Sequence, residues 1–459
     1  MTPVNAAADA TGAGAAVVRA APRLRGEPRL PGDKSISHRA LLLALLAAGE
    51  SRILDAGDGE DVRTTAAVIE RLGATVERVR ETSGRVEYRI WSPGREAILE
   101  PDSVLDCRNS GTTLRMTAGI LAARPLFAVL DGDASLRRRP VARVVAPLTA
   151  MGATFAARRG GTLPPLAVSG SSPLRAIDYA VPVPSAQVKS AILLAALGAE
   201  GTTTVRETAV TRDHTERMLR ARGVAVASTP WGDDERGQAV SVTGPARLLP
   251  AVERVPADPS AAAFWLVVGA AHPDAELILR GVGTNPSRRA IIDLLRRMGA
   301  AVEERTVGST ADADAGTGEP LADLVVHSST LRGIDVSPAE VASAIDEIPV
   351  LCLAGAIASG TTTIRGAGEL RHKESDRIAG IAAGLTALGA SVTVEGDDIT
   401  IHGGAHLTGA ATDSLTDHRL ALTFAVAGLI AAGETVVRDP DCASVSYPGF
   451  FSEIERVRA

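Results

Sequence analysis

The 459-residue sequence is short of cysteine, aromatic residues and long apolar runs. Its three cysteines, Cys107, Cys352 and Cys442, are odd in number and far apart, so they indicate a reduced, cytoplasmic protein without a disulfide framework or a zinc site. Aromatic residues make up 3% of the chain and the net charge is −6, which argues against nucleic-acid binding. No segment reaches the ~18 to 20 apolar residues of a membrane-spanning helix, so no membrane association is expected.

Lysine is also scarce, because only Lys34, Lys189 and Lys373 occur among 48 basic residues. Arginine and lysine are not interchangeable, since lysine carries a compact ammonium whose pKa shifts readily on burial. A sequence this rich in arginine is expected to keep lysine where such an ammonium is needed. All three lie in polar clusters beside apolar runs, which makes them candidates for function, although chance retention of some of them is an alternative.

The length exceeds that of a usual single domain, and 45% hydrophobic residues can form a large core, so two domains are expected. Residues 1–22 are rich in alanine, glycine and threonine and are predicted to form a flexible tail. They lack the basic start and long apolar core of a signal peptide.

Residues 32–39 have the pattern of a glycine turn followed by a helix start. Helix N-termini expose unpaired N–H groups and the positive end of the helix dipole, and therefore attract anions. Lys34, Ser35 and Arg39 add an ammonium, a hydroxyl and a guanidinium at this point. The stretch predicts a phosphate or carboxylate site, and a solvated helix start is the alternative.

The rest of the chain repeats one pattern six times. Its first half is an apolar helix that ends in small residues and precedes a strand; the copies begin at Leu41, Leu114, Ala191, Ala261, Pro349 and Leu420. Its second half is a more polar helix; the copies begin at Val68, Pro147, Met218, Leu294, Leu385 and Phe450. Helices that are apolar all round are buried, and such units bury their faces against one another. The pattern therefore predicts two α/β domains of three units each, divided near residues 245–259.

Polar clusters precede the apolar helices at recurring places. They lie at residues 108–115, 184–190, 258–260, 346–349 and 417–419. Each cluster alone fits an ordinary helix cap, since Ser, Asn and Asp are the preferred N-cap residues. Together they predict several helix N-termini that converge on one multiply anionic ligand.

These motifs resemble those of the 5-enolpyruvylshikimate-3-phosphate synthase family of enolpyruvyl transferases, from about Leu30 to Phe451. The motifs are PGDKSISHRA at Pro31, RNSGTTLR at Arg108, DASLRRRPVARV at Asp133, PSAQVKSA at Pro184, TRDHTERML at Thr211, DEIP at Asp346, ELRHKESDRI at Glu369 and DHRLAL at Asp417. The resemblance implies an α/β fold of two domains, each with three βαββαβ repeats around buried parallel helices. It places the first domain at 33–254 and the second at 23–32 plus 255–459.

The substrates implied by the resemblance are shikimate 3-phosphate and phosphoenolpyruvate, which both carry phosphate and carboxylate groups. The resemblance assigns shikimate 3-phosphate to Lys34, Ser35, Arg39, Ser185, Ala186, Gln187, Arg212, Asp346 and Lys373. It assigns phosphoenolpyruvate to Lys34, Asn109, Gly111, Arg139, Gln187, Arg377 and Arg419. Guanidinium groups suit these anions because they form two parallel hydrogen bonds with carboxylate or phosphate. No cofactor or metal is implied, and a monomer without macromolecular partners is expected.

The implied reaction transfers the enolpyruvyl group to the 5-hydroxyl of shikimate 3-phosphate and releases phosphate, so it needs a base and an acid. The catalytic candidates are Lys34, Asp346 and Glu374. Asp346 would accept the hydroxyl proton, and Glu374, assisted by Lys34, would protonate C3 of phosphoenolpyruvate. Considered alone, Asp346 fits a helix cap and Glu374 fits a solvated ion pair, since most such charges lie on the surface.

The sequence departs from the family pattern at two places. Glu369 stands where some members have asparagine, and Val445 and Ser446 stand where some have a late basic residue. The ligand contacts of those members are not carried over to these positions. Gly111 matches the family, and because tolerant members can carry alanine there, sensitivity to the herbicide glyphosate is expected.

Two alternatives stand beside this interpretation. The related UDP-N-acetylglucosamine enolpyruvyl transferases typically carry a reactive cysteine in the loop before an Arg-Pro pair, whereas residues 133–140 contain none. A non-catalytic anion-binding protein on the same fold would not need the carboxylates of Asp346 and Glu374. The residues therefore favour the shikimate-pathway reaction.

Overall fold

A computed structural model describes residues 14–82, 84–232, 236–310 and 318–458. The α-helices are α1 (Lys34–Leu46), α2 (Glu60–Arg71), α3 (Gly111–Ala122), α4 (Ala142–Met151), α5 (Arg158–Gly161), α6 (Ala186–Ala196), α7 (His214–Ala221), α8 (Pro259–Ala271), α9 (Ala290–Arg297), α10 (Pro338–Ser343), α11 (Ile348–Ile357), α12 (Arg377–Ala387), α13 (His418–Gly428) and α14 (Phe450–Val457).

The β-strands alternate with these helices. They are β1 (Ala15–Arg19), β2 (Leu24–Gly26), β3 (Gly49–Leu54), β4 (Thr75–Arg80), β5 (Val86–Ser92), β6 (Leu105–Asp106), β7 (Phe127–Asp131), β8 (Thr154–Ala157), β9 (Leu163–Ser169), β10 (Leu174–Arg175), β11 (Asp178–Ala180), β12 (Ala199–Glu207), β13 (Val226–Trp231), β14 (Gly237–Gly244), β15 (Val252–Arg254), β16 (Ala275–Gly283), β17 (Ala301–Ser309), β18 (Pro320–His327), β19 (Asp335–Val336), β20 (Thr361–Ile364), β21 (Ser391–Glu395), β22 (Asp398–His402), β23 (Ala411–Asp413) and β24 (Glu434–Arg438).

The six predicted apolar helices are α1, α3, α6, α8, α11 and α13, and nearly every residue in them is buried. Five of them begin after a polar side chain that accepts a hydrogen bond from an N–H of the first turn; these caps are Asp33, Ser110, Ser185, Asp258 and Asp417. Such caps satisfy N–H groups that have no partner inside the helix. Five of the polar clusters therefore do act as caps, whereas α11 begins at the 346–349 cluster without a side-chain cap. No helix among the described residues combines the length and apolar character needed to cross a membrane.

Each of six sheets is organised around the strand that follows a buried helix, namely β3, β7, β12, β16, β20 or β24. This strand has a parallel neighbour on one side and an antiparallel neighbour on the other. Two of the parallel neighbours come from distant parts of the chain: β15 pairs with β3, and β2 pairs with β16. The first pairing joins the last and first parts of the first group of three units, and the second joins the N-terminal segment to the first part of the second group.

The prediction of a flexible tail over residues 1–22 is wrong for Ala15–Arg19. These residues form β1, which pairs with β24 and places Val17 opposite Val436. Val18 is buried against α13, where a Cβ on Gly428 would lie 2.9 Å from the Cβ of Val18. Because valine fits a half-buried strand well, this segment supplies the antiparallel strand of the sixth sheet. Residues 1–13 of the predicted tail lie outside the described residues.

The described residues form two hydrophobic cores. The first contains buried residues from Ile36 to Val255, and the second contains Val18, Ala21 and Leu24 together with buried residues from 261 to 457. The first core reaches one residue past the predicted limit at 254, and the domain limits stay a prediction.

The chain crosses between the cores twice, and the two crossings lie side by side. The Asp33 N–H donates to the Pro256 carbonyl at 2.8 Å, and the Asp258 N–H donates to the Pro31 carbonyl at 2.9 Å. Gly32 is required between them, because a Cβ there would lie 2.0 Å from the Asp55 carbonyl oxygen. The crossings bring the N-termini of α1 and α8 together at one end of each domain.

Candidate active site

A cleft of about 360 Å³ opens between the two domains at the N-termini of the buried helices. Every predicted site residue except Asn109 lines it: Lys34, Ser35, Arg39, Gly111, Arg139, Ser185, Ala186, Gln187, Arg212, Asp346, Lys373, Glu374, Arg377 and Arg419. We call the lining from residues 34–212 the first wall and the lining from residues 258–419 the second wall. The predicted convergence of helix N-termini is therefore present in the structure.

A more open depression of about 480 Å³ lies on the first domain and contains none of these residues. Its charged side chains pair with one another, as in Arg108–Glu60 at 2.7 Å and Arg137–Asp131 at 2.5 Å. The interdomain cleft is therefore the better candidate for an anion site.

Lys34 lies where the first wall meets the two chain crossings between the cores. Its backbone N–H donates to Asp258 Oδ2 at 3.2 Å, and its ammonium Nζ donates to Asp61 Oδ2 at 3.0 Å. Asp61 belongs to α2 and was not predicted, because nothing in its local sequence links it to the helix start at Lys34. The pair holds the ammonium of Lys34 at the edge of the cleft.

Arg39 is buried one turn further along α1. Its guanidinium donates to Thr215 Oγ1 at 2.8 Å, to the Ser35 carbonyl at 2.9 Å and to Ser190 Oγ at 3.0 Å. These acceptors are all neutral. Arg39 therefore keeps its full positive charge towards the cleft while its orientation is fixed.

Arg115 lines the first wall and was missed as a site residue. It donates to Gln187 Oε1 at 2.8 Å and to the Pro140 carbonyl at 3.1 Å, and burial lowers its pKa to about 10. It lies four residues after Gly111 on α3, so helical spacing places both on one face. A Cβ on Gly111 would lie 2.5 Å from Arg115 Nη1. The RNSGTTLR motif contains Arg115, but only Asn109 and Gly111 of this motif are predicted as site residues.

Asn109 does not line the cleft. Its amide Nδ2 donates to Asp133 Oδ2 at 2.6 Å, and its Oδ1 accepts a hydrogen bond from Arg139. Arg139 also donates to the Asn109 carbonyl at 3.2 Å. The side chain of Asn109 is thus turned towards the 133–140 loop, and it acts on the cleft by orienting Arg139.

Asp346 at the start of α11 faces the cations of both walls. Its Oδ2 lies 2.6 Å from Arg212 Nη2, and its Oδ1 lies 3.5 Å from Arg377 Nη1 and 3.9 Å from Lys373 Nζ. Burial alone would raise the pKa of Asp346, but these cations, Arg212 foremost, hold it well below its usual value. The pKa of Lys373 in the same site is lowered, and burial is the largest cause.

The carboxylate of Glu374 forms ion pairs with two arginines. Its Oε2 lies 2.5 Å from Arg377 Nη2, and its Oε1 lies 3.5 Å from Arg139 Nη1 across the cleft. Ser135 Oγ also donates to the Glu374 carbonyl at 3.2 Å. Burial would raise the pKa of Glu374, but Arg377 and Arg139 outweigh it and hold the pKa well below its usual value. Both candidate catalytic carboxylates are therefore ionised in this arrangement.

Four arginines around the cleft keep buried nitrogen atoms without a hydrogen-bond partner among the described residues. These atoms are Nε of Arg139, Nε and Nη1 of Arg288, Nη1 of Arg377 and Nε of Arg419. Burying an unpaired donor is unfavourable by about 1–3 kcal/mol, and more when the group is charged. Such donors at one cleft are typical of a site that accepts an anion.

The two departures from the family pattern have different surroundings. Glu369 lines the cleft and pairs with Arg143 of the first wall at 2.6 Å, so here it links the two domains. Val445 does not line the cleft; its carbonyl oxygen would lie 2.3 Å from a Cβ on Gly59, at the N-terminus of α2. Neither position offers a cation to a ligand.

The three cysteines are unpaired thiols. Cys107 and Cys352 are buried and Cys442 is half-buried. Burial raises the pKa of all three thiols, to about 12 for Cys352 and about 11 for Cys442. A thiol needs to ionise to act as a nucleophile, so these surroundings do not favour a reactive cysteine.

The chain is similar to known proteins along almost its whole length. The family model described as EPSP synthase (3-phosphoshikimate 1-carboxyvinyltransferase) matches residues 18–454. The 3-phosphoshikimate 1-carboxyvinyltransferase of Gloeobacter violaceus is 49% identical over 439 residues, which cover 95% of this chain and 97% of that relative. The enzyme of the same name from Roseiflexus castenholzii is 48% identical over 440 residues, covering 95% and 98%.

Solved structures agree with this assignment. An EPSP synthase from Acinetobacter baumannii shares 36% identity with a TM-score of 0.82, covering 97% of this chain and 98% of that one. The enolpyruvyl transferase NikO from Streptomyces tendae, at 18% identity and a TM-score of 0.75, shares the fold and covers 97% of each chain. The predicted two-domain enolpyruvyl transferase fold is confirmed. The chain belongs to the EPSP synthase (3-phosphoshikimate 1-carboxyvinyltransferase) family.

Proposed function

We propose that this protein transfers the enolpyruvyl group of phosphoenolpyruvate to the 5-hydroxyl of shikimate 3-phosphate and releases phosphate. The family supports this reaction, and the relatives carry the corresponding name. The observation that carries the proposal is the set of buried guanidinium nitrogens of Arg139, Arg377 and Arg419 around one cleft, which have no hydrogen-bond partner among the described residues. Small ligands with both a phosphate and a carboxylate would satisfy these donors.

The first wall is the proposed place for shikimate 3-phosphate. Its contacts would be Ser35, Arg39, Ser185, Ala186, Gln187 and Arg212, with Lys34, Asp346 and Lys373 beside them. Arg212 already donates to Ser35 Oγ at 3.3 Å, so the guanidinium and the hydroxyl can hold the same phosphate. This wall presents helix N-termini and neutral hydroxyl groups, which suit a phosphate and a polyhydroxylated ring.

Phosphoenolpyruvate would bind between the walls. Lys34, Gly111, Arg139, Gln187, Arg377 and Arg419 line this part of the cleft. Asn109, which was expected to touch the ligand, would instead act by orienting Arg139. Arg115 would hold the Oε1 of Gln187, so that the Gln187 side chain has a fixed position against the ligand.

In the proposed reaction the 5-hydroxyl oxygen attacks C2 of phosphoenolpyruvate and its proton passes to Asp346. C3 takes a proton from Glu374 and becomes a methyl group, which gives a tetrahedral adduct. The adduct then returns a proton from C3 to Glu374 while the bond from C2 to the phosphate oxygen breaks, and the departing phosphate takes up the proton from Asp346. Enclosure between the two walls would exclude water from the adduct.

Substrate binding would raise the pKa of both carboxyl groups, as the reaction requires. The anionic groups of the substrates compete for Arg212, Arg139 and Arg377, the cations that lower the pKa of Asp346 and of Glu374. When a ligand phosphate or carboxylate takes up part of that positive charge, the pKa of each buried carboxyl group rises. Asp346 becomes a stronger base, and Glu374 becomes able to carry the proton that it delivers.

A phosphate-release assay with both substrates tests the function. We expect release only when shikimate 3-phosphate and phosphoenolpyruvate are present together. The Arg419→Ala variant should lose about 10- to 100-fold in kcat/KM for phosphoenolpyruvate, since a charge-assisted hydrogen bond contributes ~1.5–3 kcal/mol. The matched control is Arg280→Ala, because Arg280 is an exposed arginine that pairs with Glu27 and Asp323 outside the cleft.

The same assay can contradict the proposal. Turnover with UDP-N-acetylglucosamine in place of shikimate 3-phosphate would support the related transferase instead. Binding of both substrates without phosphate release would support the non-catalytic alternative. Equal losses in Arg419→Ala and Arg280→Ala would show that the cleft is not the site.

A further inference from the structure

Lys189 is the lysine that the proposed function leaves unassigned. It does not line the cleft, and its side chain is 0% exposed in α6. Its ammonium Nζ lies 2.8 Å from Glu207 Oε2, 2.8 Å from Glu216 Oε1 and 3.3 Å from the carbonyl oxygen of Thr211. The ammonium therefore forms ion pairs with both glutamates and donates a hydrogen bond to the Thr211 carbonyl.

The three acceptors belong to one continuous segment. Glu207 is the last residue of β12, Glu216 lies in the first turn of α7, and Thr211 lies in the irregular loop 208–213 between them. The Thr211 hydroxyl also donates to Glu207 Oε1. One buried ammonium therefore ties the beginning, the middle and the far side of this loop to α6.

The loop carries Arg212, the residue next to Thr211. Arg212 donates to Ser35 Oγ at 3.3 Å and to Asp346 Oδ2 at 2.6 Å, so it reaches the first wall and the second wall at once. Arg212 itself is half-buried and lies in a segment without helix or strand geometry. The carbonyl of Thr211 is thus an anchor directly next to Arg212 in the chain.

In this cluster the positive charges of Lys189 and Arg39 balance the negative charges of two glutamates. The two glutamates face Lys189 on one side, and Arg39 lies on the other, where it donates to Thr215 beside Glu216. Burial lowers the pKa of Lys189, but the two carboxylates outweigh this and leave the pKa above its usual value. Lysine suits the site because a compact ammonium reaches three oxygens in different directions, whereas the planar guanidinium of arginine does not.

We propose that Lys189 is a positioning residue, which holds the Thr211–Arg212 backbone so that Arg212 meets the phosphate of shikimate 3-phosphate. The inference rests on the proposed function. Lys189 touches no reacting atom, so its loss acts through Arg212 and affects one substrate. The prediction is a rise in KM for shikimate 3-phosphate with little change in KM for phosphoenolpyruvate.

The test uses the full-length chain and three variants. Lys189→Met removes the anchor and leaves the two glutamates with only Arg39 to balance them. The double variant Lys189→Met, Glu216→Gln restores the charge balance but not the contact with the Thr211 carbonyl. The matched control is Arg222→Met, because Arg222 is a buried cation of the same domain, paired with Glu253 at 3.0 Å and absent from the cleft.

We expect Lys189→Met to raise KM for shikimate 3-phosphate by about tenfold or more, as the loss of a charge-assisted contact implies. The double variant should recover most of the thermal midpoint, yet keep the raised KM. Arg222→Met should lower the thermal midpoint and leave both KM values within about threefold. If Lys189→Met does not yield folded protein, the charge-balanced double variant carries the test by itself.

A wild-type KM for shikimate 3-phosphate in the double variant would overturn the inference, since Lys189 would then serve only to balance charge. Equal rises in both KM values, or the same rise in Arg222→Met, would also overturn it. Failure of the wild-type protein to release phosphate would instead overturn the proposed function. The two failures are therefore distinguishable.

Discussion

Arg39 and Arg115 on the first wall of the cleft are held in a different way from Arg377 on the second wall. On the first wall, Arg39 and Arg115 donate to hydroxyl, amide and carbonyl oxygens, which are neutral. On the second wall, Arg377 pairs with the carboxylates of Glu374 at 2.5 Å and Asp417 at 2.8 Å. The carboxylates proposed as acid and base both belong to this second wall.

This difference separates binding from chemistry. A guanidinium held by neutral oxygens keeps its full charge for a ligand, so Arg39 and Arg115 are already arranged to receive an anion. A guanidinium held by carboxylates shares its charge, and an arriving anion changes the pKa of those carboxyl groups as it binds. The first wall is therefore suited to orienting a substrate, and the second wall is suited to coupling binding with proton transfer.

The strongest test of this contrast removes the acid from the second wall. Glu374→Gln keeps the shape of the side chain but cannot deliver a proton, so kcat should fall by about 100- to 10,000-fold. Binding of shikimate 3-phosphate, measured by calorimetry, should stay near the wild-type value because that substrate is assigned to the first wall. A variant that keeps wild-type kcat would assign proton delivery to another group.

The next test concerns Gly111 and Arg115 on the first wall. Gly111→Ala should raise KM for phosphoenolpyruvate by about tenfold and weaken inhibition by glyphosate, because the new Cβ displaces the Arg115 guanidinium. Arg115→Met should raise the same KM, since Gln187 then loses its partner at 2.8 Å. Because both changes act on one contact, we expect the double variant to be no worse than the poorer single variant. Additive losses in steady-state kinetics would contradict this coupling.

A third test measures how the stability that Asp346 on the second wall contributes depends on pH. The pKa of Asp346 is depressed in the folded protein, so its contribution to stability is present above the unfolded pKa of about 3.9 and is lost only as pH falls through the lower folded value. The difference in thermal midpoint between the wild type and Asp346→Asn should therefore be constant from about pH 7 to 5 and shrink below about pH 4. A difference that already shrinks near pH 6 would mean that the pKa is raised instead.

The smallest expected effect lies at the rim, where the walls meet in the Arg143–Glu369 pair. Both side chains are nearly half exposed, at 41% and 45%, so solvent screens their attraction. A double-mutant cycle with Arg143→Met and Glu369→Gln should give a coupling energy of about 0.5 kcal/mol. A coupling of several kcal/mol would mean that this pair, and not the buried contacts, holds the walls together.

Much of the fold was predictable because its signals are local. The six apolar helices, and the caps Asp33, Ser110 and Ser185 before three of them, follow from periodicity and from the chemistry of helix starts. Strand β1 was missed because its place depends on pairing with β24, more than 400 residues away, as Val17 opposite Val436 shows. Long-range pairing leaves no mark in the local sequence beyond a short run of β-formers.

The candidate site was predictable to the same extent. The site residues could be named from the motifs, and all of these predicted residues but Asn109 line the cleft. Asp61 and Arg115 were not singled out, because each becomes part of the site only through a neighbour, Lys34 for the first and Gln187 for the second. Asn109 was placed against the ligand because its position beside Gly111 was visible, but the direction of its side chain was not.

The sequence by itself determined which helices are buried, where they begin, and that cations gather at their N-termini, because helix periodicity and capping act within a few residues. Only the tertiary structure decided how those cations are paired. The charge that Arg39, Arg377 or Lys189 presents depends on whether its neighbours are neutral oxygens or carboxylates. Those neighbours come from distant parts of the chain, and burial makes their electrostatic effect strong.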